Sequence, residues 1–277
     1  MGIKIITDST SDIGQELAES LGITVVPIYV RFGDKTYRDG VDLTEEEFYH
    51  LLETSTVHPA TSQPPPEDFM KVFGEHAENA DGIISIHISS KISGTYNSAL
   101  LAAGKMNSKC PIEVVDSKFN SGGLALVVME AARLAKSGLD MSGIIQKTKE
   151  TIEHVKMLGM FDTVKYLNFS GRVKQLILSA ASILNIRLLL TFHDGDIARA
   201  GMARTFDKGM EKIVEFVKKS SGIKELLIVH SMVPEKANQL KEQISGFFDK
   251  GKIIVLHLGA GLGVHGGPGV LLVAIRQ

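Results

Sequence analysis

The sequence predicts an α/β fold in two domains: an N-terminal α/β domain with a parallel sheet (residues 1–160) and a smaller C-terminal α+β domain (residues 161–277). Short apolar runs alternate with helical patterns through about residue 155, which is typical of βαβ units. Beyond that point the alternation gives way to a hairpin-like pattern, followed by strands and helices in mixed order. A chain of 277 residues is also long enough for two domains of ordinary size.

The elements of the N-terminal domain follow from apolar spacing and from helix start and stop signals. Its predicted strands are the apolar runs Ile3–Thr7, Thr24–Phe32, Gly82–Ile88 and Ile112–Val115. Three predicted helices contain Leu17, Leu51 and Val72, respectively, and a fourth begins after Ser98. Two more are predicted at Gly122–Ala135 and Ser142–Val155. We expect Asp12 to cap the first helix, and Thr44 with Glu47 to form a capping box. Three prolines predict an irregular segment at residues 60–66.

In the C-terminal domain, two strands around the turn His193–Asp196 form a predicted hairpin. The predicted elements are the strands Ile186–Phe192, Ile197–Ala200, Leu226–His230, Ile253–Leu258 and Val270–Ile275, and the helices Phe206–Val217 and Glu235–Phe247. The glycine-rich segment Gly259–Gly269 contains a GxGxxG pattern, but Gly266-Gly267-Pro268 is expected to prevent a helix from starting there. We therefore predict a loop whose backbone approaches another segment closely, and not a nucleotide site.

Composition and charge exclude several classes of protein. The single cysteine, Cys110, excludes an internal disulfide and a cysteine-based metal centre. The nine histidines form no HxH, HxxH or HExxH pattern, so we expect no metal and no cofactor. The net charge of −2 gives no support for nucleic-acid binding, and no apolar run reaches the roughly 18 residues that a membrane span needs. Since the N-terminus lacks a signal-peptide pattern, we expect a cytoplasmic protein.

Charge is unevenly distributed along the chain. Residues 1–100 carry a net charge of −10, and residues 101–277 carry +8. The basic part includes Arg172 and Lys174, which follow a turn-like segment, and Arg204. Such asymmetry is compatible with an interaction surface and equally with solvated faces, and both interpretations stay open.

Polar residues follow three predicted strands of the parallel sheet. They are Asp8-Ser9-Thr10, Ser89–Ser93 and Asp116-Ser117. Because open α/β sheets bind ligands at the carboxyl ends of their strands, these segments are candidates for a binding site. Ser93-Gly94 also opens a helix, where free backbone N–H groups and a hydroxyl can bind an anion. A plain N-cap explains the same residues, and the local sequence alone favours it.

Five motifs together resemble the DegV family, in order and over essentially the whole chain. They are Asp8-Ser9-Thr10-Ser11-Asp12, Thr61-Ser62-Gln63-Pro64, Ile88 through Ala99, Tyr166–Val173 and His265-Gly266-Gly267-Pro268-Gly269. The resemblance implies two α/β domains with a lipid tunnel whose polar end lies between them. It also implies that the protein binds a long-chain fatty acid such as palmitate and presents its carboxylate to a partner fatty acid kinase. The kinase product, an acyl-phosphate, would feed phospholipid synthesis.

The resemblance also implies roles for individual residues. Thr61, Ser93 with Gly94, and His265 match positions that hold the fatty acid carboxylate. Arg172, with Arg204, matches contacts to the partner kinase or to phosphate. Transient contact with a membrane is compatible with this function. Tunnel-lining residues, acyl preference and oligomeric state are not implied.

Two other functions remain open. Ser93 as nucleophile, His265 as base and Asp8 or Asp116 as orienting carboxylate would make an acyl hydrolase or transferase. The sequence lacks the GxSxG pattern of hydrolase serines, so we favour a non-catalytic binding protein. A binder of another small anionic ligand is the third interpretation.

Overall fold

The computed structural model describes residues 2–173 and 186–277. Its elements are, in chain order, β1 (Gly2–Asp8), α1 (Gln15–Leu21), β2 (Ile23–Val26), β3 (Tyr29–Phe32), β4 (Lys35–Arg38), α2 (Glu45–Thr54), β5 (Ala60–Ser62), α3 (Pro66–Ala77), β6 (Ala80–His87), α4 (Thr95–Lys105), β7 (Ile112–Asp116), α5 (Ser121–Lys136), α6 (Met141–His154), β8 (Val155–Phe161), β9 (Arg187–His193), β10 (Asp196–Ala203), α7 (Phe206–Lys219), β11 (Glu225–His230), α8 (Pro234–Ser245), β12 (Ile253–His257), α9 (Ala260–Gly266) and β13 (Val270–Arg276). Lys174 lies outside the described residues. No helix in the described ranges has the length and apolar content required to span a membrane.

The described strands form three sheets, and the predicted fold class is confirmed. The first is a parallel sheet in the order β2-β1-β6-β7. The second has six strands in the order β10-β9-β8-β13-β11-β12, of which only the pair β11–β12 is parallel. A small antiparallel sheet, β4-β3-β5, extends from the first domain.

Local sequence signals account for several element boundaries. The predicted capping box is present: the Glu47 backbone N–H donates to Thr44 Oγ1, and the Glu47 carboxylate accepts from the Thr44 backbone N–H. Pro66 occupies the first turn of α3, where its missing N–H costs no helical hydrogen bond. The segment at residues 60–66, which we predicted to be irregular, is only partly so, because Ala60–Ser62 form a strand that pairs with β3.

Two of our local predictions are wrong. Asp12 does not cap α1, whose N-cap is Gly14; instead its carboxylate accepts hydrogen bonds from distant residues. The glycine-rich segment is not a loop throughout, because residues 260–266 form the helix α9. Gly266-Gly267-Pro268 ends this helix and does not start one: Gly267 adopts a left-handed φ of 69°, as helix ends commonly require.

The predicted close approach of the glycine backbone does occur. A Cβ atom on Gly263 would lie 2.5 Å from Phe48 Cε1, and one on Gly261 would lie 2.5 Å from Ile28 Cδ1. Both distances are too short for real side chains, so only glycine lets α9 pack against this part of the first domain. The close packing holds α9 against α2 and the segment that precedes β3.

Strand β8 belongs to the six-stranded sheet, although it lies almost wholly before residue 160. The division at residues 1–160 and 161–277 itself stays a prediction. Helix α5 packs between the two large sheets, and its buried Leu124 and Val128 join a core that includes Ile86 of the parallel sheet and Leu272 of the mixed sheet. The two sheets therefore enclose a shared apolar interior.

Candidate ligand-binding site

A cavity with about 900 Å³ of atom-free space, partly open to solvent, lies between the two large sheets. The described residues that line it are Thr10, Ile28, Thr61, Ile88, Ile92, Ser93, Asn120, Ser121, Met157, Gly159, Phe161, Leu167, Ser170, Arg172, Val173, Leu190, Phe192, Ile197, Leu258, Gly261, Leu262, His265, Gly266, Val270 and Leu272. Most of them are apolar, and the polar residues come mainly from loops and helix ends.

One face of the mixed sheet forms the apolar wall. Met157, Gly159 and Phe161 alternate along β8, so their side chains point to the same side of the sheet. Gly159 pairs with Leu190 of β9 on one side and with Leu272 of β13 on the other. A Cβ atom on Gly159 would lie 3.3 Å from Leu272 Cβ and 3.5 Å from Phe161 Cε2, so even a methyl group would crowd the side chains in the middle of this wall.

The polar end of the cavity contains a direct contact between Thr61 and His265. Thr61 Oγ1 and His265 Nε2 share a hydrogen bond of 2.9 Å. Thr61 is held on β5 by pairing with Val30, and His265 lies near the end of α9. The hydrogen bond joins residues separated by 204 positions in the sequence.

Ser93 lies just before α4 and is not its N-cap, and its role in anion binding stays a prediction. Its Oγ accepts a hydrogen bond of 3.2 Å from the Thr95 backbone N–H at the start of α4, and it lies 2.9 Å from Thr95 Oγ1. The same side chain lines the cavity, and α4 directs its N-terminal end there. Gly94 is the N-cap of α4 and is absent from the cavity lining; a Cβ atom there would lie 2.9 Å from Gln63 Nε2.

The two arginines differ in position. Arg172 lines the cavity with an exposed side chain, and its Nε donates a long hydrogen bond of 3.4 Å to the carbonyl of Ile92, next to Ser93. Arg204 is also exposed but does not line the cavity. Its carbonyl accepts a hydrogen bond of 2.8 Å from Arg187 Nη1. The structure therefore brings Thr61, Ser93, His265 and Arg172 to one end of the cavity and leaves Arg204 outside it.

The electrostatics of this end favour an anion beside a neutral imidazole. Burial lowers the pKa of His265 to about 4, and the positive charges of Arg172 and His58 contribute to the same shift. His265 is therefore neutral near pH 7 and can donate one hydrogen bond and accept another. Within residues 2–173 and 186–277, no group of three or more histidine, cysteine or acidic side chains is arranged to bind a metal ion.

The carboxylates of the hydrolase hypothesis are bound elsewhere. Asp8 Oδ2 lies 2.9 Å from His87 Nδ1, and Asp116 Oδ2 accepts a hydrogen bond of 2.5 Å from Ser90 Oγ. Among the described residues, neither carboxylate forms a hydrogen bond with Ser93 or His265. The geometry thus lacks the oriented base of a hydrolase triad.

A serine, a histidine and an aspartate do form a chain of hydrogen bonds, but away from the cavity. Ser85 Oγ lies 2.7 Å from His87 Nε2, and His87 Nδ1 meets Asp8. All three side chains are fully buried, so no substrate reaches them. The Asp8 carboxylate also accepts the backbone N–H of Ile88, which ties the ends of β1 and β6 together beneath the cavity. The sequence signal for this chain is Ser85-x-His87, two residues on one face of a strand, and it was not among the predicted sites.

The DegV family model, described as an uncharacterised protein family, matches residues 2–277. The chain belongs to the DegV family. A DegV domain-containing protein of Caldanaerobacter subterraneus subsp. tengcongensis is 35% identical over 270 residues, covering 96% of this chain and 95% of the relative. Another from Halalkalibacterium halodurans is 34% identical over 273 residues, covering 96% and 95%.

Solved structures of the DegV family share this fold. One describes fatty acid binding of a DegV family protein from Thermus thermophilus; it is 32% identical, has a TM-score of 0.91 and covers 100% of both chains. Another is DegV from Bacillus subtilis, described as a fatty acid binding protein, with 29% identity, a TM-score of 0.89 and full coverage of both chains. These similarities confirm the predicted family and the two-domain fold, while the assignment of individual site residues stays a prediction.

Proposed function

We propose that this DegV family protein binds a long-chain fatty acid such as palmitate, with the acyl chain in the cavity and the carboxylate at Thr61, Ser93 and His265. The observation that carries the proposal is the shape of the cavity, an apolar wall that leads to the Thr61–His265 hydrogen bond. The relatives from Thermus thermophilus and Bacillus subtilis, which are described as fatty acid binding, support the same ligand class.

The energetics of such a ligand match the two ends of the cavity. Each CH₂ group of an acyl chain gains about 0.8 kcal/mol on transfer out of water, so the apolar wall supplies most of the affinity. A buried carboxylate without hydrogen-bond donors would cost several kcal/mol. The Thr61 and Ser93 hydroxyl groups and the N-terminal end of α4 supply those donors, and the His265 imidazole orients the Thr61 hydroxyl.

The neutral imidazole of His265 allows two tautomers, and the proposal uses the one that is protonated on Nε2. An imidazole protonated on Nε2 donates to Thr61 Oγ1 and leaves the threonine hydroxyl proton free for the ligand carboxylate. Ser93 supplies a second hydroxyl at the start of α4. Arg172, at the exposed mouth, adds a positive charge that favours an anion.

In the finer form of the proposal, the protein is a cytoplasmic carrier that presents the bound carboxylate to a fatty acid kinase for acyl-phosphate formation and phospholipid synthesis. Arg172, and Arg204 outside the cavity, would contact the kinase or the transferred phosphate. The carrier itself uses no cofactor and performs no chemistry. The occupied carboxylates of Asp8 and Asp116 support a binding role over hydrolysis.

Organic extraction of the purified protein, followed by mass spectrometry, tests the ligand class. We expect about one C14–C18 fatty acid per chain, restored when palmitate is added to delipidated protein. Protein that carries no lipid and takes up no added fatty acid would overturn the proposal. Turnover of a nitrophenyl ester that Ser93→Ala abolishes would favour the hydrolase.

A kinase assay tests the finer form. Fatty acid-loaded protein, ATP and a bacterial fatty acid kinase should yield acyl-phosphate that hydroxylamine traps as the hydroxamate. The control is that the same kinase phosphorylates the fatty acid on another carrier. If this protein then binds fatty acid but yields no acyl-phosphate, the binding role stands and the kinase role is wrong.

A further inference from the structure

The N-terminal end of helix α9 is held by two buried carboxylates from the first domain. Asp12 Oδ1 accepts a hydrogen bond of 2.9 Å from the Gly259 backbone N–H. Asp39 accepts hydrogen bonds from the backbone N–H groups of Ala260 and Gly261. Three consecutive donors at the start of the helix thus find acceptors far away in the sequence.

Both carboxylates are fixed by further contacts. Ser121 Oγ donates a hydrogen bond of 2.5 Å to Asp12 Oδ2, and the Ser9 hydroxyl donates to Asp39. Asp12 is 8% exposed and Asp39 is 5% exposed. Neither residue lines the cavity, so their contacts with α9 are separate from any contact with a ligand.

The position of α9 depends on such partners because the helix is short. It has seven residues, and a helix of this length is marginal by itself. The first N–H groups of any helix lack acceptors within the helix, and here Asp12 and Asp39 supply them. His265 lies on the same helix, about 6 Å along the axis from Gly261 at 1.5 Å per residue.

Keeping these two buried carboxylates ionised at neutral pH costs free energy of folding. Burial raises the pKa of Asp39 to about 6, and the negative charge of Asp8 contributes. Burial likewise raises the pKa of Asp12 well above its ordinary value, with contributions from Asp39 and Glu45. The hydrogen bonds from α9 therefore offset the cost of burying charge only in part.

We propose that Asp12 and Asp39 are positioning residues that orient α9, so that His265 Nε2 meets the Thr61 hydroxyl at the polar end of the cavity. The proposal rests on the proposed fatty acid function and adds two residues that do not line the cavity. Without these acceptors the start of α9 shifts, and His265 loses both its burial and its alignment with Thr61.

The titration of His265 in the ligand-free protein tests this directly. Ring proton shifts, assigned by comparison with His265→Gln, should give a pKa near 4 in the parent protein and a value closer to the ordinary 6.5 in Asp39→Ala. Palmitate affinity should fall about tenfold, as expected when one charge-assisted hydrogen bond is misaligned. Asp39→Asn keeps one carbonyl acceptor and should restore most of both properties.

Matched variants separate positioning from stability. Thr148→Ala removes one buried hydrogen bond, to the Ile144 carbonyl within α6, and should lower stability without changing the His265 pKa or palmitate affinity. If Asp39→Ala does not fold, Asp12→Ala is the replacement, because it removes the contacts with Gly259 and Ser121 and leaves the contacts of Asp39 with α9 in place. Folded alanine variants with the parent His265 pKa would overturn the proposal. The His265 pKa is measured without a ligand. A failure of this proposal can therefore be told apart from a failure of the parent protein to bind palmitate.

Discussion

The two walls of the cavity are built on different principles. The parallel sheet contributes its carboxyl end, so that the segments after β1 and β6 and the start of α4 bring Thr10, Ser93 and other polar groups to the ligand space. The mixed sheet contributes a face, from which Gly159, Leu190 and Leu272 present apolar surface. Parallel strands end together at one edge, whereas antiparallel strands expose alternate side chains over a broad area.

This difference explains how one cavity suits both halves of an amphipathic ligand. Strand ends and helix N-termini carry unpaired backbone groups, so they bind charge. A sheet face has its backbone groups already paired and offers only side chains. The opposite face of the mixed sheet, with Met160, Leu158 and Leu271, packs on α7 and α8. In the proposed fatty acid complex, the apolar wall supplies affinity and the polar end supplies orientation.

The largest expected effect comes from filling the apolar wall. Gly159→Leu places four additional side-chain carbons beside Leu272 and displaces several CH₂ groups of the ligand. We expect a loss of about 3–4 kcal/mol of palmitate binding, roughly a few hundredfold in Kd. Isothermal titration calorimetry with palmitate measures it.

The control for this change is Met160→Leu, which conserves volume on the opposite face of the same strand and should leave affinity unchanged. Equal affinities of Gly159→Leu and the parent protein would show that the acyl chain does not lie on this wall.

The contact between Asp39 and the start of α9 should make the stability of the protein depend on pH. Its pKa is raised to about 6 in the folded protein, so the folded state binds the proton more tightly than the unfolded state. The stability from this group is fully present below about pH 4 and is lost as the pH rises through 6, by up to about 3 kcal/mol. Denaturant unfolding from pH 4 to pH 8 measures the loss.

The Asp39→Asn variant should lack that part of the decline, because its amide does not titrate. Asp12, whose pKa is also raised by burial, remains in the variant and contributes to the residual slope. Parallel curves for the variant and the parent protein would place the titration of Asp39 outside this range.

Removal of one hydroxyl from the polar end should have a smaller effect. Thr61→Ala or Ser93→Ala should weaken palmitate binding by about 1.5–3 kcal/mol without unfolding the chain, through loss of one charge-assisted hydrogen bond. Hexadecanol has the same chain and no carboxylate, so its affinity should change much less. Binding assays with the two ligands give the comparison.

Thr36→Ala serves as the control, since Thr36 is exposed on the neighbouring strand β4. If Thr61→Ala and Ser93→Ala both keep the parent affinity for palmitate, the carboxylate does not bind at this end.

The smallest effect on lipid affinity is expected for Arg172. Its side chain is exposed, so solvent screens its charge and Arg172→Ala should cost no more than about 1 kcal/mol of palmitate binding. The rate of acyl-phosphate formation by a fatty acid kinase should fall further than the affinity does. A loss confined to lipid affinity would contradict a role for Arg172 in partner contact.

Local patterns in the sequence predicted most elements correctly, and the family resemblance predicted the fold. The capping box at Thr44 and the hairpin of β9 and β10 depend on neighbouring residues, so they are visible without a structure. Predictions failed where a distant contact decided the outcome. Asp12 looked like a helix cap and instead binds Gly259, and the glycine-rich segment looked like a loop although α9 forms by packing against Phe48.

The sequence alone determined most of the order of strands and helices, the polar groups at the strand ends and membership of the DegV family, because these follow from neighbouring residues and from motif spacing. Only the tertiary structure decided that Thr61 meets His265, that the β8–β13 region forms an apolar wall, and that Asp39 holds the start of α9. The physical reason is separation along the chain. Contacts between residues 204 positions apart depend on how two sheets pack together, and no local pattern specifies that packing.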